Sequence, residues 1–154
     1  MFMWKIQKIT KNIHPYNREN EVVFVKKIIE QKYKKIKSIM RKNGFEHRYL
    51  DKMMKNYREQ DYGDASVGLG KILESFAKTI LDDEKENDVL LTLINSLYRK
   101  DVITEHDKSV LMSVRENRND NAHGDEIYSE ISRDDLEKDM LKVFDFLEKE
   151  LNEL

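Results

Sequence analysis

From Ser132 onward the chain carries its most constraining pattern. Leu136, Met140, Val143, Phe144, Leu147 and Leu151 recur every three or four residues. An apolar series with that period predicts a helix burying one face, because a strand would need strict alternation. Ser132 supplies a capping hydroxyl, and Asp134 and Asp135 place negative charge in the first turn, where the helix dipole favours it. A helix with one apolar face gains most of its stability from partners, so the rest of the chain must provide them.

The same period recurs upstream. Val22, Val25, Ile29, Tyr33, Ile36 and Met40 predict a helix over 22–42, with Asn43-Gly44 as its stop. Leu50, Met53, Met54 and Tyr57 predict a second over 46–59. Gly63-Asp64 marks a join, and Ala65, Leu69, Ile72, Leu73, Phe76 and Ile80 predict a helix over 64–82. Gly68 and Gly70 weaken that helix by about 1 kcal/mol each against Ala, and suggest close approach by a neighbouring backbone. After a polar break from Asp82 to Asp88, Leu90, Leu93, Ile94 and Leu97 predict a helix over 89–99. Thr104 caps a further helix carrying Val110, Leu111 and Val114, which should reach Asn121 with Gly124 as its C-cap. Only five Gly and one Pro (Pro15) interrupt 154 residues, as suits helices rather than turn-rich β structure. The expected fold is all-α: a four-helix bundle over 60–154, preceded by a basic helical pair within 1–58.

Several chemistries are excluded or left without support. There is no Cys, so disulfides and thiolate metal sites are excluded. Gly63, Gly68 and Gly70 lack the Lys-Ser/Thr that follows a phosphate loop. His14, His47 and His106 are scattered and read as loop or helix-end residues, and the acids Asp82, Asp83, Glu84 and Glu86 lack calcium-loop spacing. No apolar run suits a signal peptide or membrane span, so the expectation is a cytoplasmic protein with no membrane association.

The net charge of -2 conceals a division. Residues 1–58 hold 16 Lys and Arg against five Asp and Glu, whereas residues 59–154 hold 12 against 25. The asymmetry fits a nucleic-acid arm, two parts that attract each other, or helix faces that differ only in solvated charge. Lys26, Lys27, Lys34, Lys35, Lys37 and Arg41 form the basic face. With Tyr33 and Tyr57 nearby, that face suits sequence-blind contact with an RNA backbone, or equally a clamp on the acidic bundle.

Burial does not account for the segment Arg118-Asn119-Asp120-Asn121-Ala122-His123-Gly124, which is polar where a buried face would be apolar. Arg118 can grip a phosphate through two hydrogen bonds, and His123 can exchange a proton near neutral pH. Residues five apart on one helix diverge by about 140°, so the two share a site only if the helix ends before His123 or a second chain contributes. Arg115 and Asn119 lie nearer the appropriate faces, and Asn121 adds an amide. Glu74 is the nearest expected carboxylate for Arg118; the plain alternative is a polar helix end finished by His123-Gly124.

Arg118-Asn119-x-x-Ala122-His123-Gly124 resembles the signature of HEPN domains, and the abortive-infection C-terminal (Abi-C-like) branch looks most similar. Ala65, Gly68 and Lys71-Ile72-Leu73-Glu74 resemble that family's first bundle helix. The likeness covers roughly 60–152. It implies a metal-independent, cofactor-free endoribonuclease acting as a toxin or antiphage-defence effector. It also implies a homodimer whose two Arg-His motifs line one cleft, and a protein antitoxin or defence partner. His123 would be the general acid or base, Arg118 the phosphate holder and Asn119 an orienting group. The tyrosine found two positions after the histidine in toxins paired with nucleotidyltransferases is Asp125 here, and Tyr128 does not match on spacing. The rival expectation is a non-catalytic HEPN-type module: an antitoxin, an inhibitor or a nucleotide-binding sensor.

Overall fold

The computed structural model describes residues 18–82, 89–122 and 131–154, with side chains left out for Arg18 and for 119–122. The expected features at His14, Pro15, Asp83–Asp88, Gly124 and Asp125 lie outside the described residues. Within them the chain is all-helical: α1 (Arg18–Lys42), α2 (Arg48–Arg58), α3 (Tyr62–Leu81), α4 (Leu90–Arg99), α5 (Glu105–Ala122) and α6 (Arg133–Asn152).

The helix ends follow local chemistry. Gly44 adopts φ +73°, a left-handed conformation that glycine enters freely, and the Phe45 amide donates back to the Met40 carbonyl at 2.9 Å. Thr104 and Asp107 cap α5 reciprocally: the Asp107 amide donates to Thr104 Oγ1 at 3.1 Å and the Thr104 amide to Asp107 Oδ2 at 3.2 Å. The Asp135 amide donates to Ser132 Oγ at 3.1 Å, so the expected cap of α6 is formed. α3 starts at Tyr62 rather than 64 because the Asp61 side chain accepts the Asp64 amide, which draws Gly63 into the first turn.

α3 packs against α2, α4, α5 and α6, while α6 also packs against α1 and α5. Leu69, Ile72, Leu73 and Phe76 of α3 meet Met140, Val143, Phe144 and Leu147 of α6 in one buried cluster. Ile29, Ile36 and Met40 of α1 and Met53 and Met54 of α2 belong to that same cluster. Phe76 links its layers, stacked on Phe45 at 5.5 Å and edge-on to Phe146 at 5.9 Å between ring centres. Tyr33 and Tyr57 are buried here, and Lys37 Nζ lies 5.7 Å from the Tyr33 ring centre.

Charge fastens α1 to α6. Lys32 Nζ lies 2.6 Å from Glu148 and 3.4 Å from Asp145, and Lys35 Nζ lies 2.6 Å from the other Glu148 oxygen. Part of the basic N-terminal region is therefore a clamp on the acidic half of the same chain. No helix among the described residues is long and apolar enough to cross a membrane.

Candidate functional site

α5 is buried unevenly. Leu111 and Val114 are almost fully enclosed, but from Arg115 to Ala122 the sequence offers no large apolar side chain. Hydrophobic burial therefore holds the first half of this helix, and polar contacts to α3 and α6 hold the second.

Arg118 makes the contact to α3. Its side chain lies across the buried Gly70, where an added methyl group would sit 2.6 Å from Nε and 2.7 Å from Cγ. One turn along α3, on the same face as Gly70, Glu74 accepts from Arg118 Nη2 at 2.8 Å. Each side chain retains about one-fifth of its exposure, 20% for Arg118 and 21% for Glu74. Arg118 Nε is buried with no hydrogen-bond acceptor among the described residues. The guanidinium fork carries five N–H donors, more than one carboxylate at one edge engages. Gly68, two residues earlier and on a different face of α3, is also an approach point: a methyl group there would meet Met53 Cβ at 3.1 Å and Cα at 3.5 Å. Close packing thus occurs at both glycines. At Gly68 the neighbour is the α2 backbone and Met53, whereas at Gly70 it is the Arg118 side chain.

The contact to α6 comes from the adjacent Asn117, whose Nδ2 donates to Asp139 Oδ2 at 2.8 Å. Asp139 is only 3% exposed, and burial pushes its carboxyl above the usual range against the hydrogen bond from Asn117. A second buried carboxyl, Glu137, lies two residues towards the start of α6, on a different face of the helix. Tyr57 donates its hydroxyl to Glu137 Oε2 at 2.6 Å, and Arg133 Nε is 3.5 Å from Oε1. Burial raises Glu137 despite that hydrogen bond, and burial followed by the Glu137 carboxylate raises the Tyr57 phenol. Sequence reasoning missed Asn117, Asp139, Glu137 and Arg133. The only signal was that two acids directly flank the apolar stripe of α6.

The expected site residues are distributed as follows. Arg118 and Glu74 meet. Arg115, one turn earlier on α5, is half-buried, with no ion pair among the described residues. Asn119 and Asn121 fall in the last turns of α5, where backbone alone is described, and His123 lies outside the described residues. On α1, Lys35 is paired with Glu148 and Lys37 lies 3.0 Å from Asp51. Lys26, Lys27, Lys34 and Arg41 are exposed, with no ion pair among the described residues. A cleft of about 710 Å³ lies between α1, α5 and α6 and is lined by Lys32, His106, Val110 and Phe146 but by none of the expected catalytic residues.

A family model described as "Domain of unknown function (DUF4145)" matches residues 51–154, from within α2 to the end of α6. Neither a curated protein nor a solved structure matches the chain. The matched span holds Gly70, Glu74, Arg118, His123 and the whole α3–α5 seam, and it exceeds half the chain. On that match, the chain belongs to the DUF4145 family.

Proposed function

We propose that this chain is a HEPN-type endoribonuclease working without a metal, as a toxin or antiphage-defence effector in the cytoplasm. In this reading a homodimer brings two Arg118–His123 motifs into one cleft. The observation that supports it is the mounting of Arg118: a guanidinium fixed over a glycine by one carboxylate, with a buried Nε still lacking an acceptor.

The chemistry balances without further reactants. His123 takes the proton of a ribose 2′-hydroxyl, and the 2′-oxygen attacks the adjacent phosphorus. The bond from phosphorus to the 5′-oxygen breaks, and that oxygen leaves with a proton returned by an imidazolium. The products carry a 2′,3′-cyclic phosphate and a 5′-hydroxyl. Arg118 binds a non-bridging oxygen and offsets the charge that grows there, and Asn119 orients the pair. Glu74 pre-sets the fork of Arg118, which lowers the ordering cost at the moment of reaction.

A second reading follows from the same ion pair. Glu74 neutralises Arg118, so the pair also suits a strut in a non-catalytic interaction module. RNA incubated with the protein in EDTA separates the two. The nuclease predicts cleavage with cyclic-phosphate ends that falls by about 10²-fold or more in His123→Ala. Cleavage that survives His123→Ala, or no cleavage alongside tight binding to a protein, contradicts it.

A further inference from the structure

We infer that the RNA strand reaches Arg118 along the outer face of α2 and α3, through Lys52 and Lys71, rather than along the lysine-rich α1. This inference rests on the ribonuclease reading and specifies its substrate path.

Lys52, Asn56 and Tyr49 of α2 face Val67, Gly68 and Lys71 of α3 across a shallow cleft of about 190 Å³. The helices are drawn together there by Gly68, which lies against Met53. Lys52 and Lys71 are exposed, as are Arg48 and Lys55 on the same face of α2. None of the four has an ion pair among the described residues. Arg48 sets its guanidinium 5.0 Å from the Tyr49 ring centre, giving a flat cationic surface of the kind on which bases stack. Asp64 also lines the cleft, so cations outnumber acids there without excluding them.

Position connects this surface to the seat of Arg118. Lys71 is the residue after Gly70 and stands three before Glu74. Along the α3 axis Lys71 therefore lies about 1.5 Å from Gly70 and about 4.5 Å from Glu74, turned about 100° from the first and about 60° from the second. α1 lacks that proximity, although its Lys26, Lys27, Lys34 and Arg41 are also exposed with no ion pair among the described residues. It packs on α6 and α2, away from the α3–α5 seam, and Lys32, Lys35 and Lys37 are held by carboxylates. The family match begins at residue 51, so it includes Lys52 and Lys71 and leaves α1 out.

The test is the affinity of full-length protein for a labelled mixed-sequence single-stranded RNA of twenty nucleotides, measured across salt concentration. All proteins carry His123→Ala so that the RNA stays intact. Lys52→Glu with Lys71→Glu should weaken binding about tenfold or more and lower the salt slope by about 1.4. Lys26→Glu with Lys34→Glu should change affinity by less than about threefold. A helical circular-dichroism spectrum confirms each fold, and the milder Lys52→Gln with Lys71→Gln pair replaces the first if that fails. A larger loss from the α1 pair, or equal losses from both, overturns the path while leaving the nuclease reading in place. Absence of RNA binding by the parent protein overturns both.

Discussion

Two of the helix seams that ion pairs close, α1–α6 and α3–α5, are built to different standards. At the α1–α6 seam, Glu148 takes two lysines, one oxygen each, and Lys32 also reaches Asp145. The lysine stems are flexible and the partners overlap, so the seam can lose a member and rearrange. At the α3–α5 seam a single arginine meets a single glutamate over a glycine that leaves no room for a methyl group. The first arrangement fastens an accessory helix. The second fixes the direction of one guanidinium, which is more constraint than a fastener needs. The comparison teaches that charge pairing alone does not mark a site; what marks it is the shape cleared beneath one partner.

The comparison can be broken most sharply at Gly70. Gly70→Ala places a methyl group against the middle of the Arg118 side chain, not its free end, so the guanidinium must leave its seat. RNA cleavage should fall by about 10²-fold. Overpacking should cost about 1–3 kcal/mol, partly offset by the roughly 1 kcal/mol gain in helix propensity. Cleavage assays and urea unfolding check both, and unaltered cleavage would show that the seat is not needed.

A smaller effect belongs to the other seam. Burial raises the Glu148 carboxyl, but the hydrogen bonds from Lys32 and Lys35 outweigh it and hold the group below its usual range. Its contribution to stability is therefore present above the ordinary glutamate range and lost as pH falls through the lowered value. Glu148→Gln should cost about 1 kcal/mol at neutral pH, less in high salt, and nothing in strong acid, with cleavage unchanged. Thermal unfolding across pH and salt measures this, and a loss of cleavage in this variant would erase the distinction between the seams.

Much of the architecture is legible in the sequence because it rests on local rules. The stripe from Leu136 to Leu151 and the caps at Ser132 and Thr104 each lie within a few residues of the structure they specify. Arg118, Glu74 and Gly70 can all be singled out, yet their meeting cannot be read. The partners lie 44 and 48 residues from Arg118, and the register of α3 against α5 is set by core packing. The burial of Asp139 and Glu137 is hidden for the same reason. A carboxylate beside an apolar stripe is ordinarily solvated, and only the positions of Asn117 and Tyr57 show otherwise. The lysines of α1 suggest a nucleic-acid face because sequence records charge without recording what neutralises it.

The central claim is that Arg118 is mounted for a phosphate rather than used as a strut. The most direct measurement takes Arg118→Ala and reads RNA cleavage and unfolding free energy on the same preparation. The pair is about four-fifths buried, so removing Arg118 should cost about 1–3 kcal/mol and leave the protein folded, while cleavage is lost. Cleavage that persists in Arg118→Ala would contradict the account.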